Sequence, residues 1–281
     1  MIKFSILIAN YNNGKFFKSC YHSIMMQTYH NWEVIILDDC STDDSVEVIK
    51  SIIGKDSRFK LYENAKNCGV GFTKGRLIEL ANGSVCGFVD PDDAISPDAL
   101  FSSVIAYLED KIVLTYSKFV KCDENLIPIN NPSLTKQIRN NDPYFFNCPI
   151  QIVNFVTFRK EVYERTLKID PKLRIAEDQD LYLKLYEFGK FKYIDKVNYY
   201  YRMHDGGISQ NGNKEKSKEY FAKVIFSTMK RRQLNTINGK AIPSEYQSAS
   251  EIYDLLKYKE SLSYRIKNII RLWAERFFEN I

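Results

Sequence analysis

No stretch of this chain approaches the ~18–20 uninterrupted apolar residues that a membrane-spanning helix needs. The longest early apolar run, Ile6 to Ala9, is too short for a secretory signal and is followed by polar Asn10, Tyr11, Asn12 and Asn13. Cysteine is sparse: the six thiols at positions 20, 40, 68, 86, 122 and 148 are scattered, with no pair at metal or redox spacing. A secreted disulfide scaffold would be denser, so a reduced, cytoplasmic protein is expected. Histidine occurs three times, and His22 and His30 lie in or beside a helical pattern without metal spacing. Internal repeats, a GxxxxGK[ST] phosphate loop, paired-aromatic RNA-binding motifs and zinc-finger spacing are all missing, so no nucleic acid partner is expected.

What is there is an ordinary globular composition. The 281 residues are 44% hydrophobic and 27% charged, enough for one large domain or a domain with an appendage, and disorder is excluded. The formal net charge of +5 is unevenly spread. Lys214 to Arg232 carries seven Lys or Arg against two Glu, and Lys257 to Glu279 carries six against three. In the last helix Ile266, Ile269, Ile270, Trp273 and Phe277 share one face, with Lys267, Arg271 and Arg276 off it. Three roles stay open for that helix: lying on the anionic inner face of the cell membrane, packing on its own domain, or forming a homodimer.

The first 115 residues alternate between short apolar strands and helical patterns. Strands are expected at Phe4–Ala9, Glu33–Leu37, Phe59–Glu63, Val85–Val89 and Ile112–Tyr116. Helices are expected at about Lys15–Gln27, Asp43–Ile53, Thr73–Ala81 and Pro97–Leu108. This pattern predicts a parallel sheet buried on both faces, a Rossmann-like α/β layer. Residues 120–150, rich in Pro and Asn, read as irregular loop. A second ordered stretch runs from Ile152 to Tyr201 with a helix at Gln179–Phe188. Asp205–Gly212 reads as a mobile loop, and the remainder as helical.

In such sheets ligands bind at the carboxyl ends of the strands. Polar clusters fall there: Asn10–Asn13, Asp38–Asp39 and Asp90–Pro91–Asp92–Asp93. Carboxylates at i and i+2 on a tight turn can converge on a hard divalent cation, though a solvated turn that caps the next helix has equal claim. An acid at the end of the second strand can accept from ribose hydroxyls or a base N–H; a helix cap is the plain alternative. Glu177–Asp178 stands before an amphipathic helix, where favourable interaction with the helix dipole alone would explain it. Gly69–Val70–Gly71 with Gly75 lacks the spacing of a dinucleotide fingerprint and follows the wrong strand.

Taken together, SILIANYNNGKFFKSCYHSIMMQTYHNWEVIILDDCSTDDS, NCGVGFTKG–LANG, CGFVDPDDAISPDAL, AEDQDLYLKL and YYYRMHDGGIS, over Ile6 to Ser209, resemble the family 2 glycosyltransferases of the GT-A fold. The resemblance implies a mixed, mainly parallel central sheet flanked by helices. The GT-A domain would cover residues 1–210, with a nucleotide-binding half (1–115) and an acceptor-binding half (116–210), followed by a helical C-terminal extension (211–281). It implies a nucleotide-diphospho-sugar donor, often UDP-linked, and a saccharide or lipid-linked acceptor in surface polysaccharide or glycolipid synthesis.

By the same resemblance, Asp39 is the base- or ribose-binding acid, with Ala9, Asn10 and Tyr11 flanking the pocket. Asp90 and Asp92 match the DxD motif, Asp92 as principal ligand of Mn²⁺ or Mg²⁺ and Asp90 toward ribose or metal. Asp178, beside Glu177, matches the general base, and His204 a residue touching diphosphate or metal. Two departures stand out. Lys74 takes the place of an arginine near the diphosphate, keeping its charge but losing the bidentate fork. Cys40 replaces a common glycine. The QxxRW motif of processive relatives is absent, which favours transfer of a single sugar, and the one displacement that the resemblance implies would invert the anomeric centre. The competing reading is a catalytically inactive nucleotide-sugar binder or interaction protein on the same fold.

Overall fold

The computed structural model describes residues 1–204 and 214–279. The loop expected at Asp205–Gly212 lies outside these, as do the side chains of Trp273, Arg276 and Phe277.

Strands β1 (Phe4–Asn10), β2 (Trp32–Asp38), β3 (Phe59–Glu63) and β4 (Val85–Phe88) lie parallel, in the spatial order β3-β2-β1-β4. Helices α1 (Phe17–Met25), α2 (Ser45–Ile53) and α3 (Val70–Leu80) connect them. Successive side chains of a strand point to opposite faces, so a run that is apolar at every position must be covered on both. That is what happens: Ile6, Ile8, Val34 and Ile36 pack with Phe17, Cys20, Ile24 and Ile49 on one face. Leu7, Ile35 and Leu37 pack with Leu77, Ile78 and Leu181 on the other.

The sheet continues through β5 (Ala94–Ile95), β6 (Ile112–Cys122), β7 (Thr157–Arg159) and β8 (Lys190–Arg202) to give eight strands, ordered β3-β2-β1-β4-β7-β6-β8-β5. Strand β7 runs antiparallel to β4 and β6, β5 antiparallel to β8, and β6 parallel to β8. Helices α4 (Ala99–Ala106), α5 (Lys160–Arg165) and α6 (Glu177–Leu185) complete this part. The mixed sheet of the GT-A type is therefore present.

Some boundaries differ from the sequence reading. Helix α3 begins at Val70 rather than Thr73, because Gly69 turns the chain at φ 86° and the Thr73 N–H already bonds the Gly69 carbonyl. Helix α4 begins at Ala99, two residues after Pro97. The strand expected to end at Tyr116 runs on to Cys122, held by β8 through irregular register.

The C-terminal part is not wholly helical. Helices α7 (Lys214–Arg231), α8 (Ala249–Leu256) and α9 (Leu262–Glu279) are interrupted by a hairpin of β9 (Thr236–Ile237) and β10 (Lys240–Ala241). Asn238 and Gly239 turn it with φ of 48° and 78°, the two positive dihedrals that an Asn-Gly hairpin supplies at low cost. Ala222, Ile225, Met229, Ile252 and Leu256 form a third core around Phe146. Val224 of α7 enters the core beneath the sheet, and Arg231 and Arg232 both pair with Glu187 just after α6.

Candidate active site

The ends of β1, β2 and β4 and the start of α6 gather the expected acids. Asn10 is buried at the end of β1, and its amide donates to Asp38 Oδ1 at 2.7 Å. Asp38 Oδ2 in turn accepts from the Ser41 N–H at 2.7 Å, which fixes the turn after β2. Cys40 holds φ 63° in that turn, a left-handed geometry that accounts for a glycine at this position in similar sequences.

Asp39 faces the other way. Its carboxylate accepts from the Gly69 N–H at 2.7 Å, the Cys68 N–H at 2.8 Å and the Asn64 side-chain amide at 2.8 Å. It therefore latches the loop that opens α3. A carboxylate has about four acceptor positions, so about one remains beyond these three bonds. Ala9 lies partly buried at the strand end, and Tyr11 is half-exposed beside it. Gly69 is required by its backbone, with φ 86°, while a Cβ there would only push aside the exposed Arg174 side chain.

The acidic turn after β4 is tied down by β8. The Asp90 N–H donates to the Tyr199 hydroxyl at 3.2 Å, and the Arg202 N–H to Asp93 Oδ1 at 2.8 Å. Asp92 Oδ2 lies 2.8 Å from His204 Nε2, and the Phe16 ring packs on the imidazole at 4.5 Å. Burial pushes the Asp90 carboxyl up to about 7; Lys74 opposes this, while Asp92, Asp178 and Glu177 add to it. Burial, then Asp90 and Asp92, push Asp93 to about 9.

Lys74 reaches from α3 to the start of α6. Its buried ammonium donates to Glu177 Oε1 at 2.8 Å and Asp178 Oδ1 at 2.7 Å. Burial alone would lower its pKa, but Asp178, Glu177 and Asp90 raise it well above the usual lysine value. In this geometry Lys74 clamps the paired acids. The reason is local: Lys74 extends from α3 to the first turn of α6 and is the cation that neutralises its two leading acids. Burial likewise raises Glu177, against the pull of Lys74. Ala176 enters α6 at φ 67°, a left-handed conformation unfavourable for alanine that aims the two acids at Lys74. Asp90, Asp178, Lys74, Phe88, Tyr182 and Tyr199 then line one small cavity.

Sequence reasoning missed Asn64, Tyr199 and Arg202. The guanidinium of Arg202, two residues before His204, reaches the Asp92 carbonyl and the Glu124 carbonyl. Its place in YRMH was the one available signal; Asn64 offered none.

The residues suit a hard divalent cation. Asp92 oxygen and His204 nitrogen are adjacent, Asp90 and Asp93 lie in the same buried turn with carboxyls pushed up by burial, and among the described residues Asp93 Oδ2 is buried without a hydrogen-bond partner. The carboxylate donors suit Mn²⁺ or Mg²⁺, and an imidazole among them favours Mn²⁺, the softer of the two. Among the described residues no three His, Cys, Asp or Glu side chains converge on one point.

A family model described as Glycosyl transferase family 2 matches residues 5–167, more than half of the chain. The protein belongs to that family. This family 2 glycosyltransferase is 28% identical over 255 residues to the chondroitin synthase of Pasteurella multocida (strain Pm70), covering 89% of this chain and 26% of that protein. It spans about a quarter of the length of the synthases of P. multocida that it matches. The structure of S. aureus TarS 1–349 in complex with UDP-GlcNAc superposes with a TM-score of 0.66 at 19% identity, covering 91% of this chain and 70% of that one. The mannosyltransferase PcManGT from Pyrobaculum calidifontis, in complex with GDP-Man and Mn²⁺, gives 0.59 at 13% identity, covering 97% and 84%. These likenesses show the GT-A fold.

Proposed function

We propose that the chain transfers one sugar, with inversion, from a nucleotide-diphospho-sugar to a hydroxyl of a saccharide or lipid-linked acceptor in surface polysaccharide synthesis. The donor class is UDP-linked by analogy with the UDP-GlcNAc complex of TarS, and the acceptor class by analogy with the chondroitin synthase. The observation that carries the reading is the shared cavity: Asp90, at the end of β4, and Asp178, at the first turn of α6, line one wall-to-wall space with Lys74 between them.

In this reading Asp178 Oδ2, not bonded to Lys74, takes the acceptor hydroxyl proton. The acceptor oxygen forms its bond to the anomeric carbon as the bond from that carbon to the diphosphate oxygen breaks, and the diphosphate leaves with the electron pair. Attack from the face opposite the leaving group inverts the centre. Asp92 and His204, with Asp90, would hold a divalent cation, which when bound neutralises the leaving diphosphate. Asp39 and Asn10 order the loops around the nucleoside, and Lys74 holds Glu177 and Asp178 in position through its two hydrogen bonds. The catalytic domain comprises residues 1–210 and the extension 211–281, with cytoplasmic placement. No helix among the described residues is long and apolar enough to cross a membrane.

Calorimetry with UDP, GDP and their sugars, with and without Mn²⁺, tests this on wild type, Asp92→Ala and Asp178→Asn. The expected result is Mn²⁺-dependent UDP binding that Asp92→Ala weakens and Asp178→Asn leaves intact, while Asp178→Asn abolishes transfer. Absence of any nucleotide binding, with or without metal, would overturn the reading.

A further inference from the structure

Away from the acids, a cavity of about 580 Å³ opens where the C-terminal helices meet the irregular segment 139–144. That volume falls in the ~300–1,000 Å³ range of sites for small ligands. Among the described residues, three tyrosines (Tyr144, Tyr258 and Tyr264) and three cations (Arg139, Lys267 and Arg271) line it, against one carboxylate, Asp142. Arg139 lies 3.7 Å from Asp142. Lys267 and Arg271 are four residues apart and so share one stripe of α9, and among the described residues neither makes an ion pair. Ile266, Ile269 and Ile270, the exposed aliphatic residues of α9, are not among the lining residues.

The wall of this cavity is bolted to the helix that carries Asp178. The Tyr186 hydroxyl donates to the Arg139 carbonyl at 2.7 Å and accepts from the Asp142 N–H at 2.9 Å. Further along, Gln179, the residue after Asp178, donates to the Phe146 carbonyl at 2.6 Å and accepts from the Asn147 amide at 3.0 Å. Segment 139–147 therefore runs as a strap from the cavity to the start of α6.

We propose that this cavity is a subsite for an acidic saccharide, an acceptor chain bearing carboxylates such as those of uronic acids. Carboxylates match Lys267 and Arg271, whose charge-assisted hydrogen bonds are about twice as strong as neutral ones. Tyrosine ring faces carry negative charge and suit the C–H faces of sugar rings. A lipid would call for an aliphatic floor, and among the described lining residues Pro143 is the one aliphatic side chain. The inference rests on the glycosyltransferase reading for its acceptor, but its test does not depend on turnover.

The test is calorimetric titration of the full chain with an unsulfated oligosaccharide containing uronic acids, with its carboxyl-reduced neutral counterpart, and with phosphatidylglycerol vesicles. UDP binding is measured on the same samples. The acidic oligosaccharide should bind at least about tenfold more tightly than the neutral one, the difference shrinking with added salt. Lys267→Glu with Arg271→Glu should abolish that preference and leave UDP binding unchanged. Equal affinity for the two oligosaccharides, or a preference untouched by the double variant, would refute the subsite. Vesicle binding lost in the double variant, without oligosaccharide binding, would also refute it and assign the cations to a lipid headgroup. Acidic oligosaccharide binding without UDP binding would uphold the subsite while removing the donor reading.

Discussion

Lys74 shows how one side chain can change the meaning of a motif. An arginine-like position near a diphosphate predicts a substrate contact, and losing that contact raises the donor KM. The observed bonds to Glu177 and Asp178 predict something different. In Lys74→Met the donor KM should change less than about threefold while kcat falls by about a hundredfold or more, the size of a lost general-base contribution. Lys74→Arg should recover part of it. Steady-state kinetics checks the split, with UDP calorimetry confirming that the variant is folded. A large KM effect at constant kcat would restore the diphosphate contact. Cys40 offers a second residue-level case. A non-glycine residue at φ 63° carries strain, so Cys40→Gly should cost no stability, with a gain of up to ~1 kcal/mol in urea unfolding.

At the scale of elements, Glu33 joins β1, β2 and the turn before β4. It accepts from the Ser5 hydroxyl at 2.8 Å, the Asn82 N–H at 2.6 Å and the Lys3 ammonium at 3.0 Å. Burial works to raise its carboxyl, but these donors prevail and hold it at about 2. The folded pKa lies below the unfolded ~4.3, so the stabilisation is complete above that value and is lost as pH falls toward 2. Of the order of 2–3 kcal/mol should disappear over that window, and Glu33→Gln should flatten that part of the stability–pH curve. Urea midpoints between pH 5 and 2 measure it.

The long strands were legible because β1 and β2 are apolar at nearly every position, which only a sheet covered on both faces explains. The short strands β5 and β7 were not, since two or three residues carry no period and exist only through partners 42 to 106 positions away in the chain. The Asn238–Gly239 turn was readable and was passed over in a segment read as helical. At the site, the acids stood out as clusters at strand ends. Their partners Arg202, Tyr199 and Asn64 did not, because only β8 and the tertiary fold bring them near.

For the whole molecule, the C-terminal elements divide into a part that closes the core and a part that does not. Val224, Ile225 and Met229 of α7 are buried, and Arg232 reaches the Phe145 and Leu183 carbonyls. By contrast Leu262, Ile266, Ile269 and Ile270 of α9 are exposed. A chain ending at Ser261 should therefore unfold within about 1 kcal/mol of the full protein. A chain ending before Lys214 should expose Phe146 and its neighbours and aggregate, as size-exclusion chromatography would show. Equal behaviour of both truncations would contradict the division.

The strand order also sets a timetable for a chain emerging from the ribosome. The parallel group β3-β2-β1-β4 is complete once Phe88 has been made, yet the free edge of β4 is covered by β7, which begins at Thr157. At the usual ~5–20 residues per second, that apolar edge waits several seconds, up to about 14, for its neighbour. During that interval the nascent protein is a half-built sheet with an open seam, which makes it a client for chaperones and, when translation outpaces them, a starting point for aggregates.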